Sequence, residues 1–239
     1  DHQMLKRILR GLLKVLAGLV GLLLISFVVL KLVYNAPVPS GKSGQAADML
    51  AQQMLKAINH KAFTEAKAIH WSFRETNHYK WFPQEHQVEV SWKDYQVKLQ
   101  TKSPQQSQVY KGNIELTGQA KTEAIAYAEK NFNNDSFWLI APHKLFDPGT
   151  KRQLIRADGQ EKLLVTYTSG GSTPGDSYLW TLNEQHIPVR MQLWVRIIPF
   201  DGITAEWLNW QPTKAGFPLP EERRLWGFKI PISDVKVIP

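Results

Sequence analysis

The chain has 239 residues, 43% hydrophobic and 21% charged, enough for one substantial core, and its lack of cysteine excludes disulfides and thiolate-held metals. Its formal charge of +8 is concentrated at one end, because Lys6, Arg7, Arg10, Lys14 and Lys31 face only Asp1 in the first 35 residues. The remaining charges alternate in sign and form no basic stripe with interleaved aromatics, which argues against nucleic acid as a partner.

The first element is apolar. Val15–Leu30 reads VLAGLVGLLLISFVVL without a charge, and apolar residues extend it to Leu12–Leu13 and Leu32–Tyr34. About 20 helical residues rise the ~30 Å of a bilayer's hydrocarbon core. Lys14 and Lys31 stand near the two ends, where their stems let the ammonium groups reach the headgroups. The run is too long for a signal peptide's apolar region, and Tyr34-Asn35-Ala36-Pro37 is a poor cleavage site. Residues 1–35 are therefore expected to be a basic cytoplasmic end plus one transmembrane helix. The positive-inside rule then places the rest of the protein outside the cytoplasm. Met4 opens MLKRILRGLLK, a conventional signal-anchor beginning, so Asp1-His2-Gln3 is read as foreign to the natural chain. Gly11, Gly18 and Gly21 leave room for a neighbouring helix.

Residues 36–44, with two prolines and a Gly/Ser end, are expected to be a short linker. The domain proper then covers 45–239. Gln45–Asn59 carries Leu50, Met54, Leu55 and Ile58 at helical spacing and predicts an amphipathic helix, with another turn or two over Ala62–Ala68. Period-2 alternation follows: Ile69, Trp71 and Phe73, then Val88, Val90 and Trp92, then Tyr95, Val97 and Leu99 after Lys93-Asp94. Further strands are expected at Gln108–Glu115, Arg152–Ala157, Lys162–Thr168, Ser177–Leu182, Pro188–Ile198 and Thr204–Gln211, with one or two more in Arg223–Val237. Asp158-Gly159 and Asp201-Gly202 supply turns. Thr122–Asn131 predicts the one other helix. The absence of a βαβ rhythm argues against a parallel sheet. The expected class is mainly β with helices (α+β): a curved antiparallel sheet, a half-barrel, covered by helices.

No motif points to catalysis, a metal or a cofactor. His60, His70, His78, His86, His143 and His186 show no HExxH or HxH spacing. Gly175-Asp176-Ser177 matches the GDS block of a lipase-like hydrolase family. Here it precedes a strand instead of a helix, and no Asp-x-x-His follows to supply a base, so it reads as a polar hairpin loop. Ser169–Gly175 lacks the lysine and helix of a phosphate loop and reads as a mobile tip or lid. Asn133-Asn134-Asp135 matches no calcium loop and reads as a turn or helix end.

The aromatics are the strongest compositional signal, since all nine tryptophans lie beyond the anchor. They either fill a core or line an apolar groove for an acyl chain or a partner helix. The candidate ligand-binding residues are Trp71, Phe73, Trp92, Trp138, Trp180 and Trp194.

Three stretches carry a resemblance: Asn133–Pro142 (NNDSFWLIAP), Phe146–Gly149 (FDPG) and Leu163–Trp180 (LLVTYTSGGSTPGDSYLW). Across roughly residues 65–215 the chain resembles an uncharacterised family of bacterial envelope proteins, similar in fold to the lipoprotein carriers LolA and LolB. The resemblance implies an incomplete antiparallel barrel with a helix-covered mouth, and no catalytic residues. The chain departs from both carriers in its membrane helix. Two functions are expected from these readings. One is a non-enzymatic, membrane-anchored domain that binds a lipid or lipidated ligand in an apolar half-barrel. The other is an accessory subunit whose helix packs in an integral membrane complex and whose domain caps it.

Overall fold

The computed structural model describes residues 2–169 and 174–239. It opens with α1 (His2–Tyr34), a helix long and apolar enough to cross a membrane, with no residue of its apolar window fully buried. Two helices follow, α2 (Gln45–Ala57) and the short α3 (His60–Glu65). Ala47, Leu50, Ala51 and Met54 form the buried stripe of α2, at the three- and four-residue spacing of one helical face. Asn59 takes a left-handed conformation between the two helices, the kind of local break that asparagine tolerates.

The strands divide into two open antiparallel sheets of seven. The first contains β1 (Ala68–Phe73), β2 (Asn77–Phe82), β3 (Gln87–Trp92), β4 (Tyr95–Gln100), β5 (Gln108–Lys111) and β6 (Ile114–Glu115) in sequence order. After α4 (Gly118–Ile140) comes the second: β7 (Thr150–Ala157), β8 (Gln160–Tyr167), β9 (Ser177–Leu182), β10 (Pro188–Trp194), β11 (Ile203–Pro212), β12 (Pro218–Leu225) and β13 (Phe228–Lys229). The last strand, β14 (Ile232–Ile238), returns to the first sheet and pairs with β1. The antiparallel α+β class is the one read from the sequence. What differs is the partition: a 23-residue α4 interrupts the meander, and the strands on its two sides form separate sheets.

The two sheets and the helices share one core. Trp71, Phe73, Val90, Trp92, Val97 and Leu99 alternate onto the inner face of the first sheet as expected, all buried. Strand β2 was not anticipated, although His78 and Lys80 alternate with the inward Tyr79 and Trp81. From the second sheet come Leu163, Trp180, Met191 and Trp207. Trp71 stacks on Tyr79 with ring centroids 4.6 Å apart, and Trp180 meets Trp207 at 5.4 Å.

The opposite face of the second sheet carries a small cluster of its own, Ile155, Leu164, Leu179 and Trp194. The linker covers part of this face. Lys42 and Leu154 exchange backbone hydrogen bonds at 3.1 and 2.9 Å, the Gln153 amide donates to the Gly41 carbonyl, and Trp194 Nε1 donates to the Ala36 carbonyl at 2.7 Å. A Cβ at Gly41 would stand 2.3 Å from the Leu154 carbonyl oxygen, so only glycine lets the strap lie this close.

Candidate ligand-binding cleft

The position of α4 is set by a buried acid. Ala124, Ala128, Phe132, Asp135 and Leu139 recur at four- and three-residue spacing on its buried side, with the two alanines admitting close approach. Asp135 is 1% exposed. Its Oδ2 accepts from the Tyr79 hydroxyl at 2.5 Å and from the Asn77 amide at 3.3 Å, and its Oδ1 accepts from Asn134 at 2.9 Å. The Tyr127 hydroxyl donates to Asn77 Oδ1 and extends the network. Burial, and then the neighbouring Asp135 charge, push the Tyr79 hydroxyl's pKa well above its ordinary value, so it remains a donor. Asn133-Asn134-Asp135 is thus neither a turn nor a helix end; it lies inside α4, where tertiary bonds outweigh the poor helix preference of these residues.

Held this way, the C-terminal half of α4 leaves a cleft of about 510 Å³ between itself and the second sheet, within the ~300–1,000 Å³ typical of small-molecule sites. Phe132, Phe137, Trp138 and Ile140 line it from the helix, Trp81 from β2, and Tyr178 and Leu193 from β9 and β10. Val195, Ile197 and Ile198, just after β10, complete the apolar wall. Lys130, Asn131, Asn133, Lys144 and Asp176 bring polar groups to the same cleft. Asp176 is fixed by the backbone N–H of Arg196 at 3.3 Å and by the Tyr178 hydroxyl at 3.4 Å. Burial raises the pKa values of both Tyr167 and Tyr178, reinforced by Asp147 and Asp176 respectively, so both hydroxyls stay protonated. Lys144 pairs with Asp147 at 2.7 Å, and an apolar trough with Lys130 and several amides at its edge suits a molecule with a hydrocarbon body and an anionic or polar head.

Among the six aromatics singled out from the sequence, Trp138 borders this cleft. Trp71, Phe73, Trp92 and Trp180 are buried in the shared core, and Trp194 lies on the far face under the strap. The apolar cleft lies beside α4, and most of the singled-out aromatics fill the core instead. The lining residues Phe132, Phe137 and Ile140 lie beyond the helix that Thr122–Asn131 predicts, because α4 continues to Ile140. The signal for them was the continuing 128–132–135–139 spacing.

Two other clusters bear on chemistry. His60 and His143 approach Nδ1 to Nδ1 at 3.2 Å, with His143 stacked on Phe63 at 4.1 Å. His143 is 5% exposed; burial holds its pKa well below the ordinary value, and the nearby His60 adds to the effect. His60 is also lowered by burial, partly offset by Asp147. Neutral rings allow one Nδ1–H to donate to the other Nδ1. Ser177, the serine of the GDS block, is 3% exposed on β9, with its Oγ 2.8 Å from Thr166 Oγ1. Of the Ser169–Gly175 tip, residues 170–173 lie outside the described residues. Among the described residues, no group of three or more His, Asp or Glu side chains is placed to hold a metal.

No protein-family model matches the chain, and no curated protein does. Among solved structures it is similar to a DUF1329 family protein from Desulfovibrio piger, known from a crystal structure at 1.75 Å resolution. The two share 8% identity over 81% of this chain and 93% of that one, with a TM-score of 0.41.

Proposed function

We propose that the protein is a single-pass, membrane-anchored, non-enzymatic binding domain that holds a lipid, or the lipid part of a lipidated ligand, in the cleft beside α4. The observation that carries this reading is the cleft itself: an aromatic and aliphatic trough of about 510 Å³, with Lys130 and Lys144 beside it, in a chain that also bears a membrane-length helix. The basic residues before α1 favour a cytoplasmic N-terminus in the bacterial inner membrane, and so an extracytoplasmic cleft. The test is purification of the full chain from its native membrane in mild detergent, with mass spectrometry of lipids and proteins. Near-stoichiometric lipid is expected, and Ile198→Trp, which fills the trough, should lower it severalfold without altering the circular dichroism. Lipid retained equally by the variant would remove the cleft from the proposal.

A second reading, an accessory subunit of an integral membrane complex, is favoured by one feature of α1. Gly11, Gly18 and Gly21 have nothing within 4 Å, leaving small-residue positions open to another helix. Stoichiometric membrane proteins in the purified sample, with no lipid, would select it.

A further inference from the structure

The aromatic end of the second sheet is attached to the side of α1. The Phe200 ring packs against Phe27 with centroids 5.6 Å apart, and Trp226 packs against Tyr34 at 5.9 Å and against Phe200 at 5.4 Å. Asn35 and Asp201 close the contact with two hydrogen bonds, from Asn35 Nδ2 to Asp201 Oδ2 at 3.3 Å and from the Asp201 N–H to Asn35 Oδ1 at 3.0 Å. This contact fixes a depth. Centring the charge-free run Val15–Leu30 in a ~30 Å core puts its edge between residues 32 and 33 and Phe27 about 8 Å inside, at 1.5 Å per residue. A ring that touches Phe27 is then at the level of the acyl chains.

The neighbouring side chains fit that level. Ile197 is 70% exposed, Trp226 46% and Phe228 78%, a group of large apolar residues that would be costly to leave in water. Trp226 and Gly227 form the tip of the β12–β13 hairpin with φ of 50° and 82°. Such a turn ordinarily takes Asn, Asp or Gly first, and a bulky residue there is sterically disfavoured. A tryptophan at that tip gains by entering a lipid interface, where its ring and N–H are both accommodated. Just behind the tip, Arg224 and Lys229 stand directly opposite each other on paired strands. Glu222 pairs with Arg224, and Arg196 is exposed nearby in sequence to Ile197. With Arg224 paired to Glu222, the exposed Lys229 and Arg196 are the cations that lipid phosphates at the headgroup level would meet.

We infer that this end of the second sheet, Ile197, Phe200, Trp226 and Phe228, is a membrane-inserted wedge beside α1, with the bilayer leaflet as its partner. Ile197 and Ile198 also border the cleft, so the wedge brings the cleft to the lipid surface, where an acyl chain passes into it without crossing water. The inference rests on the reading that α1 spans the membrane.

Because the chain has no cysteine, single spin labels report depth cleanly. The full chain carrying Phe228→Cys, Ile197→Cys, Leu24→Cys or Ile114→Cys is reconstituted in bilayers of phosphatidylethanolamine and phosphatidylglycerol. Accessibility to oxygen is then compared with accessibility to a water-soluble nickel reagent. Leu24 reports the middle of α1, and Ile114, 70% exposed on β6, reports the aqueous side. The oxygen-to-nickel ratio at positions 228 and 197 is expected severalfold above that at 114, approaching that at 24. Ratios at 228 and 197 equal to that at 114, with 24 in hydrocarbon, would overturn the wedge and leave the anchor standing. A water-exposed label at 24 would overturn the anchor, and the wedge with it.

Discussion

The Tyr79 hydroxyl donates to Asp135 Oδ2 at 2.5 Å, tying the C-terminal half of α4 to β2 across the core. Asp135 also accepts from Asn77, so one carboxylate fixes the same half of the helix that walls the cleft. Tyr79→Phe is expected to cost about 1.5–3 kcal/mol, the usual scale for a hydrogen bond to a charged group. Asp135→Ala, which strands the buried Tyr79 and Asn77 donors, should cost about 1–3 kcal/mol for each. Thermal and denaturant unfolding of the full chain in detergent micelles measures both; equal, negligible effects would remove Asp135 as the organising group.

His143 makes stability depend on pH with a defined sign. Burial holds its imidazole neutral in the folded state, below the ordinary value of 6.5 that it regains on unfolding. Below pH 6.5 the unfolded chain therefore binds more protons, and stability falls as pH falls, by up to about 1.4 kcal/mol per pH unit for one proton. Above that value the residue contributes no pH dependence. His143→Phe keeps a ring to stack on Phe63 and should reduce the slope of the unfolding free energy between pH 6.5 and 5, with the lowered pKa of His60 supplying part of what remains. An unchanged slope in the variant would show that another group controls it.

Gly41→Ala tests the strap. The added methyl would meet the Leu154 carbonyl oxygen at 2.3 Å and Ile155 Cδ1 at 2.4 Å, so the backbone must lift from the second sheet. A cost of about 1–3 kcal/mol is expected for such overpacking. Limited proteolysis should then cut within 36–44 markedly faster than in the parent chain, while the rest of the domain resists. Unchanged cleavage would mean that the strap does not depend on this close approach.

Ser177→Ala addresses catalysis. The hydroxyl is buried against Thr166, so its removal should cost about 1 kcal/mol of stability and leave biological activity intact in a complementation assay. Loss of a hydrolytic activity in a variant that still folds would overturn the non-enzymatic reading.

Features with a local physical cause were legible in the residues. Val15–Leu30 forms a helix of membrane length because nothing charged interrupts it, and Trp71, Phe73, Val90 and Trp92 share a face because a strand's side chains alternate. Asp158-Gly159 turns the chain with positive φ at both residues. Other features depended on partners distant in sequence. The extent of α4 past Asn131 depends on Asp135 meeting Tyr79 and Asn77, more than 50 residues away, and no local preference encodes that meeting. Trp194 and Trp138 both look like buried strand-or-helix aromatics. Only tertiary packing sends one beneath the linker and the other to the cleft, because the two faces of the second sheet are covered by different segments. The hydrophobic effect assigns apolar residues to an interior without specifying which segment will cover them. That choice, and with it the cleft beside α4, was made by the long-range hydrogen bonds and the close approach at Gly41.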